Sequence, residues 1–192
     1  MKKLTLVALT AFAAISSFTA EAKDGQFHFR GQITTAPCGV IVPNGGYVQM
    51  NEWATSELKQ DTATTLQGRS VPFSIQLVDC DTSVTTKTVT TTFTGPLAGI
   101  NGAFAVSSLG NDSQFGGDNR QAGQPATATG VGLKLFNADN TALNAGAAST
   151  AVTFTPQTTL SFQAAYVYTG ASASAATAGY ADSDVDFTLN YL

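Results

Sequence analysis

One histidine, His28, is all the chain offers in 192 residues, and that scarcity closes off most side-chain catalysis. A serine triad needs an imidazole held beside the nucleophile, and His28 has no nucleophile or carboxylate fixed near it in sequence. Cysteine is nearly as scarce, with only Cys38 and Cys80 present. Two thiols and one distant imidazole fall short of the tetrahedral ligand set of a structural zinc. Charge is sparse at 11% of residues. The basic side chains are scattered, so no stripe exists to follow a phosphate backbone and no nucleic acid is expected. No glycine-rich phosphate loop follows a strand. Neither an enzyme, a cofactor nor a bound metal is expected from these residues.

The one long apolar run, Leu4 to Ile15, lies at the front and is shorter than the roughly 20 residues of a membrane span. With Lys2 and Lys3 before it and Ala20-Glu21-Ala22 after it, it has the make-up of a secretory signal covering residues 1–22. The whole chain carries nine Lys and Arg and thirteen Asp and Glu. Losing Lys2, Lys3 and Glu21 with the signal leaves seven basic against twelve acidic residues, a net charge of −5. Export places the cysteines in an oxidising compartment, where a Cys38–Cys80 disulfide is the expected state. Closing a loop of about forty residues is worth about 4 kcal/mol on the chain-entropy model.

What is abundant is Thr, Ala, Gly and Ser, arranged around short alternating segments. Val71, Phe73, Ile75 and Leu77 alternate with polar neighbours, as do Val131, Leu133 and Leu135, and Leu160, Phe162, Ala164, Tyr166 and Tyr168. Such period-2 patterns indicate half-buried strands. Pro72 inside the first of them argues for an edge or a bulge. Val89 with Phe93, Phe104 with Val106, Val152 with Phe154, and Tyr47–Met50 suggest shorter strands, and Thr55–Lys59 a single helical turn. No segment has a 3.6-residue apolar period. The expected fold is an all-β sandwich.

Both ends of the exported part are strand-like. Near the front, Gly25, Phe27, Phe29, Gly31 and Ile33 share one face while Gln26, His28, Arg30 and Gln32 share the other. This segment could be the first strand of its own sheet, a disordered tail, or a strand that lies in another molecule. Phe-x-Phe is poor composition for disorder. At the other end Val185, Phe187, Leu189 and Tyr191 share a face opposite Asp182, Asp184, Asp186, Thr188 and Asn190. The row of aspartates is read as a solvated face rather than a calcium site. The sequence stops within this strand, which leaves an apolar edge with nothing after it to cover it. Asn111-Asp112-Ser113 fits a glycosylation sequon without evidence of use.

Four stretches together carry a resemblance: Gly25-x-Phe27-x-Phe29-x-Gly31-x-Ile33, Ala36-Pro37-Cys38, Ile75-Gln76-Leu77-Val78-Asp79-Cys80, and an ending with Gly179 fourteen residues from the end and Tyr191 next to last. The chain resembles a fimbrial (pilus) subunit of the chaperone–usher class, most like the major subunits of type 1-like fimbriae. The resemblance implies an incomplete immunoglobulin-like sandwich lacking its seventh strand. It divides the chain into a signal peptide at 1–22, an N-terminal donor strand at 23–34 and a pilin domain at 35–192. It also implies that Gly25, Phe27, Phe29, Gly31 and Ile33 insert into the groove of a neighbouring copy or a related subunit. Gly179, Val185, Phe187, Leu189, Tyr191 and Leu192 would form the groove and chaperone-binding end, the carboxylate of Leu192 being held by basic residues of the chaperone. The implied partners are a periplasmic pilus chaperone and an outer-membrane usher, and the destination is the fimbria at the cell surface. A minor adaptor or terminator subunit of the same fimbria, and a self-contained secreted β-sandwich that binds protein or sugar, stand as alternatives.

Overall fold

The computed structural model describes residues 36–84, 87–99, 101–107 and 127–192. The expected signal peptide at 1–22, the alternating segment at 25–33 and the sequon at 111–113 lie outside them.

Among the described residues, eleven strands make two sheets. In chain order they are β1 Gly39–Ile41, β2 Lys59–Gln60, β3 Val71–Val78, β4 Thr88–Thr94, β5 Leu97–Ala98, β6 Ala103–Ala105, β7 Val131–Asn137, β8 Ala142–Leu143, β9 Val152–Thr153, β10 Thr158–Tyr168 and β11 Asp186–Tyr191. The larger sheet runs β1-β3-β10-β7-β6-β5, with β2 joining β10 and β8 joining β7, and the smaller runs β11-β4-β9. Every pairing is antiparallel except β2 with β10. The result is an immunoglobulin-like sandwich short of one strand, as the resemblance implies.

The alternation of β3 becomes burial. Ile75 and Leu77 are buried while Pro72 and Gln76 are exposed, because successive side chains point to opposite faces of a sheet. Leu160, Phe162 and Ala164 of β10 meet Ile75, Phe73 and Val71 directly across the ladder. Val89 and Phe93 of β4 close the core from the smaller sheet. Cys38 and Cys80 form the expected disulfide, both buried in the same core. The bridge is backed by a bond from the Asp81 N–H to the Pro37 carbonyl at 2.7 Å.

β7 departs from its pattern. Its alternation predicts one solvated face, yet all seven residues are buried. The outer face is covered by chain from elsewhere. The Lys134 Nζ donates to the Asp61 and Asn101 carbonyls, and a Cβ on Gly132 would lie 3.1–3.2 Å from Ala98 and Ala103.

Two shorter expectations fail. Tyr47–Met50 is not a strand, since it follows a 3₁₀ turn at Pro43–Gly46 in which Asn44 and Gly45 take positive φ, a geometry that turns the chain out of any ladder. Thr55–Glu57 is a 3₁₀ turn, but Lys59 belongs to β2 rather than to a helix. The Glu57 carboxylate accepts the Ala54 N–H at 2.7 Å, which fixes the start of that turn.

Candidate functional site

Each sheet has an edge that no described residue pairs, and both edges border the same cleft. In the larger sheet β1 pairs with β3 only at Gln76–Val78. Val71–Ile75 of β3 has β10 on one side and the cleft on the other. In the smaller sheet β11 is outermost and pairs only with β4, from Asp186↔Thr94 to Tyr191↔Val89. Between them lies a cleft of about 2160 Å³. Its floor is apolar, with Phe73, Phe93 and Leu135 among the lining residues.

Pro72 finds its reason here. A proline inside a strand is tolerated where its missing N–H would face away from the neighbouring strand. On this open edge of β3 it also leaves one donor fewer uncovered.

The floor is held firmly by aromatic packing. The Phe93 ring stands edge-on to Phe162 at 5.0 Å and to Phe73 at 5.9 Å, with Phe187 at 6.4 Å. Such contacts add to the area term and fix ring orientation. One wall is the irregular stretch from Val42 to Thr55, and the facing wall runs from Thr177 to Phe187. That facing wall starts on the larger sheet, where Asp182 exchanges backbone bonds with Ser107 at 2.7 and 3.0 Å and the Ser183 hydroxyl donates to Ala105 at 2.8 Å. It then crosses to the smaller sheet as β11. Of the alternation expected from Asp182 to Tyr191, only Asp186–Tyr191 forms a strand, while Asp182 makes an isolated bridge to Ser107.

Among the residues singled out from sequence, Gly179, Val185 and Phe187 border the cleft. Leu189 and Tyr191 continue the inward face of β11 as half-buried side chains packed on the core. Tyr191 meets Phe154 edge-on at 5.8 Å. Its hydroxyl is buried without a partner, and burial pushes its pKa upward. Leu192 is exposed and exchanges backbone bonds with Thr88 at 2.8 and 3.3 Å. Gly25, Phe27, Phe29, Gly31 and Ile33 lie outside the described residues. The wall from Val42 to Thr55, with Trp53, was not legible in the sequence. An irregular polar stretch gives no periodicity to read.

Gly95, just past β4, is where the final segment comes closest. A Cβ there would stand 2.9 Å from the Asp184 carbonyl oxygen and 3.2 Å from the Phe104 ring. Gly95→Val should therefore push the start of β11 off β4 and cost about 1–3 kcal/mol. Thermal unfolding should show this as a drop of about 2–4 °C per kcal/mol; an unchanged midpoint would mean that Asp184 moves freely.

Two open backbone edges flanking an apolar floor can accept one extended strand, which would bond to both sheets and bury alternate side chains. Comparison with known proteins points the same way. A family model described as "Fimbrial protein" matches residues 27–192. Long polar fimbria protein A of Salmonella typhimurium is 34% identical, with 100% of this chain and 97% of that protein covered. The type-1 fimbrial protein A chain of Escherichia coli K12 is 32% identical, with 98% and 94% covered. A chain from a chaperone–usher pilus structure superposes with a TM-score of 0.59 at 20% identity, covering 88% of this chain and 95% of that one.

Proposed function

The chain belongs to the fimbrial protein family, and from that premise we propose that it is a structural subunit of a chaperone–usher fimbria, polymerising head to tail by donor-strand exchange. It is a non-catalytic building block. The observation that carries the reading is the cleft with an unpaired strand edge on each side, β3 in one sheet and β11 in the other.

The strand that fills it in a filament is the alternating segment of the next copy. Gly25, Phe27, Phe29, Gly31 and Ile33 face the floor formed by Phe73, Phe93 and Phe187. Burying Phe27, Phe29 and Ile33 contributes about 5–9 kcal/mol before ordering costs, and the new backbone bonds remove two open edges. Before assembly a periplasmic chaperone lends a strand to the same cleft and holds the Leu192 end. At the outer-membrane usher the incoming subunit displaces it. Because segment and cleft are different parts of each copy, the contact is heterologous and propagates rather than closes. The filament is displayed on the cell surface and supports adhesion.

Filaments sheared from cells should resist detergent at room temperature and migrate as a ladder of multiples, collapsing to monomer only on boiling. A monomer band without heating would overturn the reading, and is what a self-contained secreted sandwich would give.

A further inference from the structure

Trp53 joins the two walls of the cleft through its floor. Its indole N–H donates to the Met50 carbonyl at 2.8 Å, which seats it within the irregular wall. The Arg69 guanidinium lies over its ring at 4.7 Å, a cation–π contact. Arg69 is itself placed by a 2.7 Å bond to the Glu52 carbonyl and by the Glu57 carboxylate at 3.7 Å. The ring edge rests on Tyr166 at 5.5 Å. Tyr166 stands in the floor, and its hydroxyl donates to the Ala181 carbonyl in the facing wall at 2.5 Å. Burial, with Asp182 adding to it, pushes the Tyr166 hydroxyl up to about 12, so it stays a donor at neutral pH. Trp53, Tyr166 and Ala181 all border the cleft.

The two walls differ in how they are held. Backbone bonds at Tyr180 and Asp182 tie the Ala181 wall to the larger sheet. The stretch from Tyr47 to Ala54 has no strand, and the Arg69–Trp53–Tyr166 stack fastens it to the body. An inserted strand can bond to an edge only if the opposite wall keeps a strand-sized distance, because ladder spacing tolerates little stretch.

We propose that Trp53 and Tyr166 are positioning residues that hold the two walls of the cleft at the separation an extended strand needs, and so set how long the arm of another copy stays docked. This rests on the strand-accepting reading above. Trp53 is the single tryptophan, so its emission reports the cleft directly.

The test uses the full chain and a synthetic peptide of residues 23–35, with peptide release followed by the change in Trp53 emission after dilution of the preformed complex. Tyr166→Phe keeps the ring and loses only the bond to Ala181; Arg69→Ala uncovers Trp53 without touching the floor. Phe136→Leu, buried on the face of β7 opposite the floor residue Leu135, serves as a variant that loses stability alone. Each cleft variant should release peptide roughly 3- to 10-fold faster than wild type, as expected for one lost hydrogen bond or ring contact, and Phe136→Leu should not. Unchanged release in both cleft variants, or equal acceleration in Phe136→Leu, overturns the positioning role while leaving strand acceptance intact. Failure of the wild-type chain to capture the peptide at all overturns strand acceptance itself, and the positioning role with it.

Discussion

A chain with leucine at position 31 should fold, form its Cys38–Cys80 bridge and bind chaperone, yet build no filament. Glycine in the middle of a strand weakens that strand and is kept where a surface approaches too closely for a side chain. On the proposed docking the cleft floor is that surface. Phe93, wedged among Phe73, Phe162 and Phe187 at 5.0–6.4 Å, has no free volume into which its ring can withdraw. A leucine pressed on that floor costs about 1–3 kcal/mol, or about 5- to 150-fold in the strength of one junction. A filament repeats the junction at every subunit, so its length falls far more steeply. Electron microscopy of cells expressing Gly31→Leu should show bare surfaces while the chaperone complex is recovered in normal amounts. Full-length filaments from that variant would place Gly31 away from the floor. Gly31→Ala, adding one methyl group, should shorten filaments without abolishing them.

Replacing Lys134 with alanine should cost about 2–6 kcal/mol, about 1–3 for each of two buried carbonyls that lose their donor, the largest effect on stability of any single substitution considered. Lys134 is 2% exposed and Asp61 3%. Lys134 donates to the Asp61 and Asn101 carbonyls, while the Asn101 side-chain amide donates to the Asp61 carboxylate at 3.0 Å. Burial pushes the Lys134 pKa down and the Asp61 carboxylate pushes it back up, the signature of a charge that depends on its partner. Without the ammonium both buried carbonyls lose a donor, and an unsatisfied buried acceptor is the expensive case. Lys134→Met together with Asp61→Leu should not recover the loss, because the acceptors are backbone carbonyls that stay buried in both variants. Urea unfolding measures all three chains. A loss below about 1 kcal/mol for Lys134→Ala would mean that water enters the site.

These two sites also mark how far the sequence could be read. β3 and β10 were legible because one face of each meets the core and the other meets solvent, so Ile75, Leu77, Leu160 and Phe162 announce themselves by period. The inward face of β11 was legible for the same reason. Lys134 was not. In a strand reading Leu133-Lys134-Leu135 a lysine suggests the solvated face, and only the arrival of Asp61 and Asn101 from distant positions turns that face into an interior. Trp53 was hidden likewise, since its neighbours Arg69 and Tyr166 come from other parts of the chain. Val48, 38% exposed, shows the converse error. Alternation around it resembled a strand, but the turn at Pro43–Gly46 carries the chain away from any edge it could join.

The Cys38–Cys80 bridge has a mechanical meaning once subunits are strung together. A pull on one docked arm reaches its own subunit five residues before Cys38, crosses a covalent bond to Cys80, and enters β3 two residues past its end at Val78. That same strand, at Val71–Ile75, borders the cleft, where the next arm lies on the proposed docking. With that docking, tension travels from junction to junction along one bond and one strand, and β10 braces that strand from Val71 to Leu77.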